Sequence, residues 1–387
     1  LLIGAGHALD PKDNPGLASF TMSMLREGTK RYDALQLSDK IDELGADLYT
    51  STGLDSSSVT LSALKSNFSE SLDLMLEVLN EPTFDQTEID RKKLRWLASI
   101  DQSLSTPNGI VSSLLPKIMY GEDHPYGKPS SGDGTRQSIQ WMSRQDMVAY
   151  KEATITAANS TIVAIGDTNL EELLPILESK FGSWKTEVSQ EDNMNYEVSV
   201  ESSARRIYLF DKPGAIQSLI VAGQLLPANG TDDEVDIDLM NRVIGGSFTS
   251  RLNMNLREDK SWSYGVRARL SSRKGPRPML VYAPVQTDRT IDSMKEIQKE
   301  YSDYLSSRPA SNEELNPIKQ QIILGLNGQF ETFGSLLSGV SGIVTFDRGD
   351  DYLNAVPEKY NAVTIDQVNV ATKKYLDPET WTWFIVG

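Results

Sequence analysis

A short stretch near the start of the chain has the spacing of a metal site but not its ligands. The sequence GLASFTMSMLREGT, residues 16 to 29, predicts an amphipathic helix that ends at a glycine. Its apolar face, which predicts burial against a core, consists of Leu17, Phe20, Thr21 and Met24. The opposite face carries Ser19, Met22 and Ser23, at the i, i+3, i+4 spacing with which a helix can present two histidines and a glutamate to zinc. Hydroxyls and a thioether are poor zinc ligands, so this geometry lacks the matching chemistry.

A second region, residues 244 to 266, contains side chains that could bind a developing negative charge. Gly245 and Gly246 precede a predicted helix, where the backbone can closely approach another chain. Arg257 and Tyr264, seven residues apart, offer a guanidinium and a phenol as hydrogen-bond donors. Simpler interpretations stay open, since Arg257 could pair with a neighbouring carboxylate, Tyr264 suits a strand, and the glycines could form only a turn.

Other kinds of active site are poorly represented in the sequence. The chain contains no cysteine, which excludes disulfides, thiolate metal sites and a cysteine nucleophile. Its two histidines are His7 and His124, and the His-Pro-Tyr loop at the second favours a structural role. The glycine-containing stretches at 132 and 244 lack the lysine or the glycine spacing of nucleotide-binding loops. An independent enzyme that uses another site is therefore the least favoured hypothesis.

Length and composition indicate a soluble protein with two domains. The 387 residues exceed one ordinary core, and 39% hydrophobic with 24% charged residues is typical of globular proteins. A net charge of -16 argues against a nucleic-acid partner, because phosphate binding requires clustered lysine and arginine. No stretch approaches the roughly 18 apolar residues of a membrane span.

Internal similarity indicates two copies of one α/β unit. LLIGAGHALD at residue 1 is similar to SLIVAGQLLP at 218, MLREGT at 24 to NLREDK at 255, and NSTIVAIGD at 159 to TWTWFIVG at 380, always in the same order. We predict one domain over residues 1–185, an acidic linker over 186–203 and a second domain over 204–387. Strands and helices do not alternate strictly, which favours the α+β class: two homologous α/β rolls, each a mixed or antiparallel sheet with helices on one face.

The second copy is expected to begin with a β-hairpin. The strands ARRIYLF and IQSLIVAG flank the turn DKPGA, residues 211 to 215, where Lys-Pro-Gly favours chain reversal. The first copy contains only the second of these strands, so we expect a strand to be missing before Leu1.

The chain resembles the pitrilysin-type zinc metallopeptidases, the inverzincin family that includes insulin-degrading enzyme and the mitochondrial processing peptidase. The resemblance lies in residues 16 to 62, in LNEPTFDQTEIDRKK, HPYGKPSSGD and NSTIVAIGD, and in IGGSFTSRLNMNLREDKSWSYGV of the second copy. It spans nearly the whole chain. The fold that it implies agrees with the two-domain α+β interpretation.

The family motif differs from this chain at every metal position. The first zinc-binding histidine of the family falls at Ser19, the catalytic glutamate at Met22, the second histidine at Ser23 and the distal glutamate at Ser99. The resemblance therefore implies an "inactive domain" type of half that binds no metal itself.

The same resemblance implies roles for the second region. Arg257 and Tyr264 match a pair that hydrogen-bonds the scissile carbonyl and its oxyanion in active members, and Gly245, Gly246, Ser247 and Phe248 form a substrate-binding loop. The leading hypothesis is a non-catalytic half that binds unfolded peptide beside a partner half carrying His-x-x-Glu-His and the zinc ion, either fused or as a separate subunit. The alternative is a scaffold or protein-binding subunit without a role in proteolysis. A bacterial periplasmic or other extracytoplasmic location is expected from the family alone.

Overall fold

A computed structural model describes residues 1–184, 194–198 and 205–387, which form two compact units. Unit 1 consists of Leu1–Ser105, Glu122–Asn195 and Leu336–Thr345, and unit 2 of Thr106–Gly121, Tyr196–Ser335 and Phe346–Gly387. Most of the predicted linker 186–203 lies outside the described residues, so its position and the predicted domain boundaries stay predictions. The units depart from strict chain order at two segments, since residues 106–121 belong to unit 2 and residues 336–345 to unit 1.

Unit 1 contains a four-stranded antiparallel sheet. Its strands are β1 (Leu2–Ile3), β2 (Asp47–Thr52), β3 (Ser57–Ser62) and β4 (Ser160–Thr161), in the order β2-β3-β1-β4. The two outer similarities of the repeat, LLIGAGHALD and NSTIVAIGD, thus contribute only two residues each to this sheet. The pairing is nevertheless sufficient to place the start of the chain at the centre of the sheet.

Unit 2 contains a five-stranded mixed sheet. Its strands are β5 (Arg206–Phe210), β6 (Gln217–Leu226), β7 (Arg267–Leu270), β8 (Arg277–Gln286) and β9 (Thr382–Val386), in the order β5-β9-β6-β8-β7. Strands β6 and β8 pair along ten residues, and every residue of β9 is buried between β5 and β6.

The two sheets correspond strand for strand, which confirms the predicted repeat. The order β2-β3-β1-β4 in unit 1 matches β7-β8-β6-β9 in unit 2, and unit 2 adds β5 beside β9. The α+β class is confirmed as well, since each unit combines one such sheet with several helices.

The predicted hairpin at the start of the second copy is wrong. Strand β5 pairs in parallel with β9, and β6 pairs with β9 on its other side, so β9 separates the two expected partners. The turn itself forms as predicted, with Gly214 at φ 81° and the Ala215 N–H donating to the Lys212 carbonyl at 3.1 Å. The apolar strand β9 lies between β5 and β6 because both of its edges can be hydrogen-bonded at that position. This pairing joins residues far apart in the chain, and the local sequence does not reveal it.

Fifteen helices occur in the described residues. In unit 1 these are α1 (Leu17–Met24), α2 (Ala34–Glu43), α3 (Phe68–Asn80), α4 (Gln86–Leu104), α6 (Arg136–Trp141), α7 (Arg144–Thr154) and α8 (Leu170–Phe181). In unit 2 they are α5 (Pro107–Tyr120), α9 (Glu234–Asn241), α10 (Arg251–Asn253), α11 (Thr290–Leu305), α12 (Asn312–Gln329), α14 (Tyr352–Ala362) and α15 (Ile365–Tyr375). Helix α13 (Phe333–Thr345) has residues in both units, and two wide π turns, Arg242–Gly246 and Met254–Asp259, flank α10.

Each unit has its own apolar core. In unit 1, the core joins α1, α3 and α7 to the sheet, with Phe20, Val59 and Met147 completely buried. In unit 2, residues of β6, β8 and β9 pack against α9 and α11, and the Trp381 ring meets Tyr301 edge-on at 4.4 Å.

Within the described residues, no helix is both long enough and apolar enough to cross a membrane.

Candidate functional site

Helix α1, which carries three of the four altered ligand positions, is anchored by a buried carboxylate. Asp10, only 4% exposed, accepts hydrogen bonds from the N–H groups of Gly16 at 2.7 Å and Ala18 at 2.8 Å. These bonds satisfy two donors at the start of the helix. Burial raises the pKa of Asp10 to about 7, although the backbone N–H groups and Lys128 act in the opposite direction.

The serines and the methionine of α1 do not share one environment. Ser19 and Ser23 are partly exposed, as expected, whereas Met22 is only 1% exposed. The prediction that Met22 faces outward, opposite the core, is therefore wrong. Almost the whole circumference of α1 is packed against unit 1, so a side chain opposite the predicted apolar stripe is also buried.

The serine hydroxyls lie among groups that cannot form a zinc site. Ser23 Oγ donates to the Phe20 carbonyl at 2.7 Å, and the ammonium of Lys92 donates to the Ser23 carbonyl at 2.7 Å and to Glu27 at 2.6 Å. An ammonium beside this end of the helix repels a divalent cation.

Ser19 lies next to one of the two histidines. Gly132, at φ 75°, separates them: a Cβ there would lie 2.9 Å from Ser19 Oγ and 2.8 Å from the His7 ring. The loop around residue 132 thus requires glycine both for its left-handed conformation and for the space it occupies. His7 is 4% exposed and forms part of the packed interior beside α1.

The fourth altered position, Ser99, lies on the face of α4 that contacts α1. Lys92 bonds to Ser23, and the Trp96 ring meets Phe20 edge-on at 5.3 Å, so α4 runs antiparallel to α1. The spacing of residues 92, 96 and 99 places exposed Ser99 on that same face, toward the start of α1.

The donor set at Ser19, Met22, Ser23 and Ser99 does not fit zinc, because it offers no imidazole, carboxylate or thiolate. Across residues 1–184, 194–198 and 205–387, no group of three or more His, Cys, Asp or Glu side chains could hold a metal ion. No catalytic step is therefore assigned to a metal on this chain.

In unit 2, Gly245 brings the π turn Arg242–Gly246 against strand β7. A Cβ on Gly245 would lie 2.5 Å from the Cβ and 2.9 Å from the backbone nitrogen of Ala268. The side chain of Asn241 donates to the Ala268 carbonyl at 3.1 Å and so covers the outer edge of β7. The close approach predicted for this glycine is thus made to its own unit, which fixes the start of the loop that follows.

Hydrogen bonds from two side chains fix the backbone of the loop after the glycines, and this loop exposes an aromatic ring. The buried Asn253 donates to the Phe248 carbonyl at 2.6 Å and accepts from the Val266 N–H at 3.0 Å. Arg267 donates to the Ser247 carbonyl at 3.1 Å. With its backbone fixed in this way, Phe248 leaves 54% of its surface exposed.

Arg257 joins this loop at the surface. Its guanidinium lies 4.5 Å from the centre of the Phe248 ring, and that of Arg267 lies 5.8 Å from the same ring. The ion pair with Glu258 is loose at 3.5 Å, and the Arg257 side chain is 34% exposed. The guanidinium therefore retains N–H groups that can bind another molecule.

Tyr264 lies in the loop before β7 and not on a strand as predicted. The bulge Ser261–Gly265 projects it outward: Ser261 has φ 55°, and Ser263 Oγ bonds to the Pro284 carbonyl and the Gly265 N–H. Tyr264 is 90% exposed, and its hydroxyl has no hydrogen-bond partner among the described residues. The structure thus brings Arg257 together with Phe248, while no described hydrogen bond or ring contact joins Arg257 to Tyr264.

Two residues that position this loop were not predicted from the sequence. Arg267 contacts both Ser247 and Phe248, and the alternation Arg267-Ala268-Arg269 could have indicated a basic face on β7. Asn253, which fixes the loop, has no sequence signal because its role depends on contacts five and thirteen residues away.

Two family models match the chain. Residues 1–132 match the family described as "Insulinase (Peptidase family M16)", and residues 142–322 match "Peptidase M16 inactive domain". The chain is 23% identical over 367 residues to the "Uncharacterized zinc protease YmxG" of Bacillus subtilis, covering 95% of this chain and 87% of that protein.

Two solved structures share the fold. The peptidase M16 inactive domain from Pseudomonas fluorescens superposes with a TM-score of 0.91 at 23% identity, covering 100% of this chain and 91% of that one. The periplasmic protease PqqL from Escherichia coli gives 0.79 at 14% identity, with 100% of this chain matching only 44% of that one.

Proposed function

The chain belongs to peptidase family M16, and from this premise we propose that it is a non-catalytic half or subunit of a zinc metalloendopeptidase that binds and orients the peptide substrate. The observation that carries the proposal is the contrast between a ligand set that cannot bind zinc and two exposed donors, Arg257 and Tyr264. Arg257 makes only a loose ion pair and a ring contact, and Tyr264 is 90% exposed, which favours a role toward another molecule.

Arg257 and Tyr264 would act on the carbonyl of the peptide bond that is cleaved. When that carbonyl is attacked, its oxygen gains negative charge, and a guanidinium and a phenol donate hydrogen bonds to it. One such donor contributes about 2–4 kcal/mol to stabilisation of the transition state. The zinc ion of the partner half would supply the activated water.

The loop of Gly245, Gly246, Ser247 and Phe248 would position the substrate chain. Its backbone is held by Asn253 and Arg267, so little conformational entropy remains to be lost on binding. The exposed ring of Phe248 offers an apolar contact for a substrate side chain. Arg257 stacks on the same ring, so its guanidinium would lie near the backbone of a substrate bound there.

A partner half that carries His-x-x-Glu-His follows from the missing ligands. That this chain covers 44% of PqqL supports an arrangement of two such halves, fused or separate. We expect assembly and activity in the periplasm or another extracytoplasmic compartment, as proposed from the family.

The first experiment is the isolation of the native protein from its source cells with an antibody to this chain, followed by intact mass and zinc analysis. We expect a species or tight complex of about twice 42.9 kDa that contains about one zinc ion. A zinc-free species near 42.9 kDa without a companion would contradict the proposal and favour the scaffold alternative.

The second experiment measures peptide cleavage by that assembly with Arg257→Ala or Tyr264→Phe. Each substitution should lower kcat by about 30- to 900-fold, because one transition-state donor worth about 2–4 kcal/mol is lost. Arg269→Ala is the matched control, an exposed arginine on β7 that lies 5.3 Å from the Tyr282 ring and should leave kcat unchanged. Equal activity of all three variants would exclude the proposed roles.

A further inference from the structure

Strand β5 forms an edge of the unit 2 sheet that is apolar on both faces. It pairs with β9 on one side, and no described strand pairs with its other side. Ile207 and Leu209 on one face are 59% and 72% exposed, and Tyr208 and Phe210 on the other are 36% and 40% exposed. Proteins normally protect such an edge with a charge, a proline or a covering segment, and between residues 207 and 210 β5 has neither a charge nor a proline.

The hydrogen bonds to β9 determine which backbone groups of β5 are available. The Arg206 N–H donates to Trp381 at 3.2 Å, the Gly387 N–H to the Phe210 carbonyl at 3.2 Å, and the Lys212 N–H to Gly387 at 2.9 Å. The even-numbered residues therefore point their N–H and C=O groups toward β9. Because direction alternates along a strand, Ile207 and Leu209 point theirs outward.

These outward groups match a second β5 strand in the antiparallel direction. If Tyr208 lies opposite Tyr208 of a second copy, Ile207 lies opposite Leu209, and both residues of that pair have outward N–H and C=O groups. Antiparallel strands exchange two hydrogen bonds at each such pair. The outward groups allow any antiparallel register that places odd-numbered residues opposite one another. Among these, only the register centred on Tyr208 also places Arg205 opposite Asp211, and it brings Arg206 against the Phe210 ring.

Charge at the ends of β5 supports the same arrangement. Antiparallel pairing centred on Tyr208 places Arg205, whose guanidinium also meets Glu379 at 2.7 Å, opposite Asp211 of the second copy. A parallel arrangement would bring like charges together. We infer that β5 is a self-association edge, at which a second copy of this chain adds its own β5 to form a continuous sheet of ten strands.

This inference does not depend on the proposed function, because it involves neither Arg257 nor Tyr264. Pairing along five residues buries less area than a permanent interface, so the dimer should dissociate in the micromolar range. Sedimentation velocity of the purified chain should show 42.9 kDa monomers at low concentration and a species of twice that mass at tens of micromolar.

Single-cysteine variants test the register, since the chain has no cysteine of its own. In the inferred pair, the Cα atoms of two residues at position 208 lie about 4.5 Å apart at a non-hydrogen-bonded position, within reach of a disulfide. Two residues at position 209 are offset by about 6.8 Å along the strand, which puts them beyond that reach. Tyr208→Cys should therefore form a disulfide-linked dimer under mild oxidation at least tenfold faster than Leu209→Cys.

A mixture of Ile207→Cys and Leu209→Cys should form the mixed disulfide in preference to either like pair. Leu209→Lys should weaken the dimer at least 100-fold, whereas Leu35→Lys, at a position equally exposed at 71%, should not change it.

Three results would overturn the inference. The first is a chain that stays monomeric at 100 μM, where a micromolar dimer would be almost fully formed. The second is equal oxidation rates for Tyr208→Cys and Leu209→Cys. The third is a dimer that Leu209→Lys leaves intact. Binding of a zinc-bearing half that Leu209→Lys abolishes, while the chain alone stays monomeric, would assign β5 to that partner instead.

Discussion

The stretches MLREGT and NLREDK are equivalent in the repeat, but they differ in how much of their surface is buried. In unit 1, Met24, Leu25, Gly28 and Thr29 of MLREGT are all buried. In unit 2, NLREDK lies largely in a wide π turn, only its Leu256 is buried, and Arg257 lies at the surface against Phe248. One copy therefore uses this segment for stability and the other presents it to solvent, so a loss of ligands need not be accompanied by a loss of donors.

The largest expected effect is a dependence of stability on pH that arises in unit 1, at the start of α1. Burial raises the pKa of Asp10, at the start of α1, from 3.8 to about 7, so the folded state binds more protons than the unfolded state between these values. The free energy of unfolding should then fall as pH rises from about 4 to 7, by up to about 4 kcal/mol.

Urea unfolding at several pH values measures this contribution. The Asp10→Asn variant, which cannot ionise, should lack it, so the two curves should lie closest near about pH 4 and separate as pH rises, because only the unsubstituted chain then loses stability. Parallel curves for the two proteins would show that Asp10 is ionised throughout.

Restoring a carboxylate to α1 should destabilise the fold. Met22→Glu places an ionisable group at a position that is 1% exposed and should cost about 3 kcal/mol, measured by urea unfolding at neutral pH. Met22→Leu, which keeps the site apolar at similar volume, should cost less than about 1.5 kcal/mol. If the glutamate variant were as stable as the leucine variant, position 22 would have to reach water.

The stability of the glycine-rich loop should depend on the absence of a side chain at Gly245, because there is no space for one. Gly245→Ala places a Cβ 2.5 Å from that of Ala268 and should cost about 2 kcal/mol, since helix turn and strand must separate. Gly265→Ala is the matched control, because its nearest neighbour would be Asn253 Oδ1 at 3.7 Å. Thermal unfolding should show a lower Tm for the first variant and a change of at most about 0.5 kcal/mol in the free energy of unfolding for the second.

The smallest effect on stability should occur at the residue with the largest proposed effect on activity. Tyr264→Phe removes a hydroxyl that is exposed and has no described partner, so the free energy of unfolding should change by less than about 0.5 kcal/mol. Tyr126→Phe removes a buried hydroxyl that donates to Asp55 at 2.6 Å and should cost about 1–3 kcal/mol. A large loss of stability from Tyr264→Phe would mean that this tyrosine is structural.

Local patterns predicted many of the elements correctly. The apolar period of residues 16–29 predicted a helix, and α1 forms within it; the predicted strand IQSLIVAG overlaps β6. The Pro-Gly turn before β6 was also correct, since Gly214 adopts the positive φ that such a turn requires. These features depend on residues close together in the chain.

Features that depend on distant contacts were not predicted. The insertion of β9 between β5 and β6 joins residues about 170 positions apart along the chain, and no local signal specifies it. The loop position of Tyr264 depends on Ser263 bonding to Pro284, and the burial of Met22 depends on how closely unit 1 surrounds α1. A helical wheel gives the direction of a side chain but not what lies in that direction.

The sequence by itself determined which chemistry the family's metal positions lack and which donors the chain retains, because Ser19, Met22, Ser23 and Ser99 cannot form a zinc site in any fold. The tertiary structure decided which side chains reach solvent: Met22 became part of a core, Tyr264 was projected outward, and β5 was left as an apolar edge. The reason is that donor chemistry belongs to the residue itself, whereas exposure is set by the packing of elements that are distant in sequence.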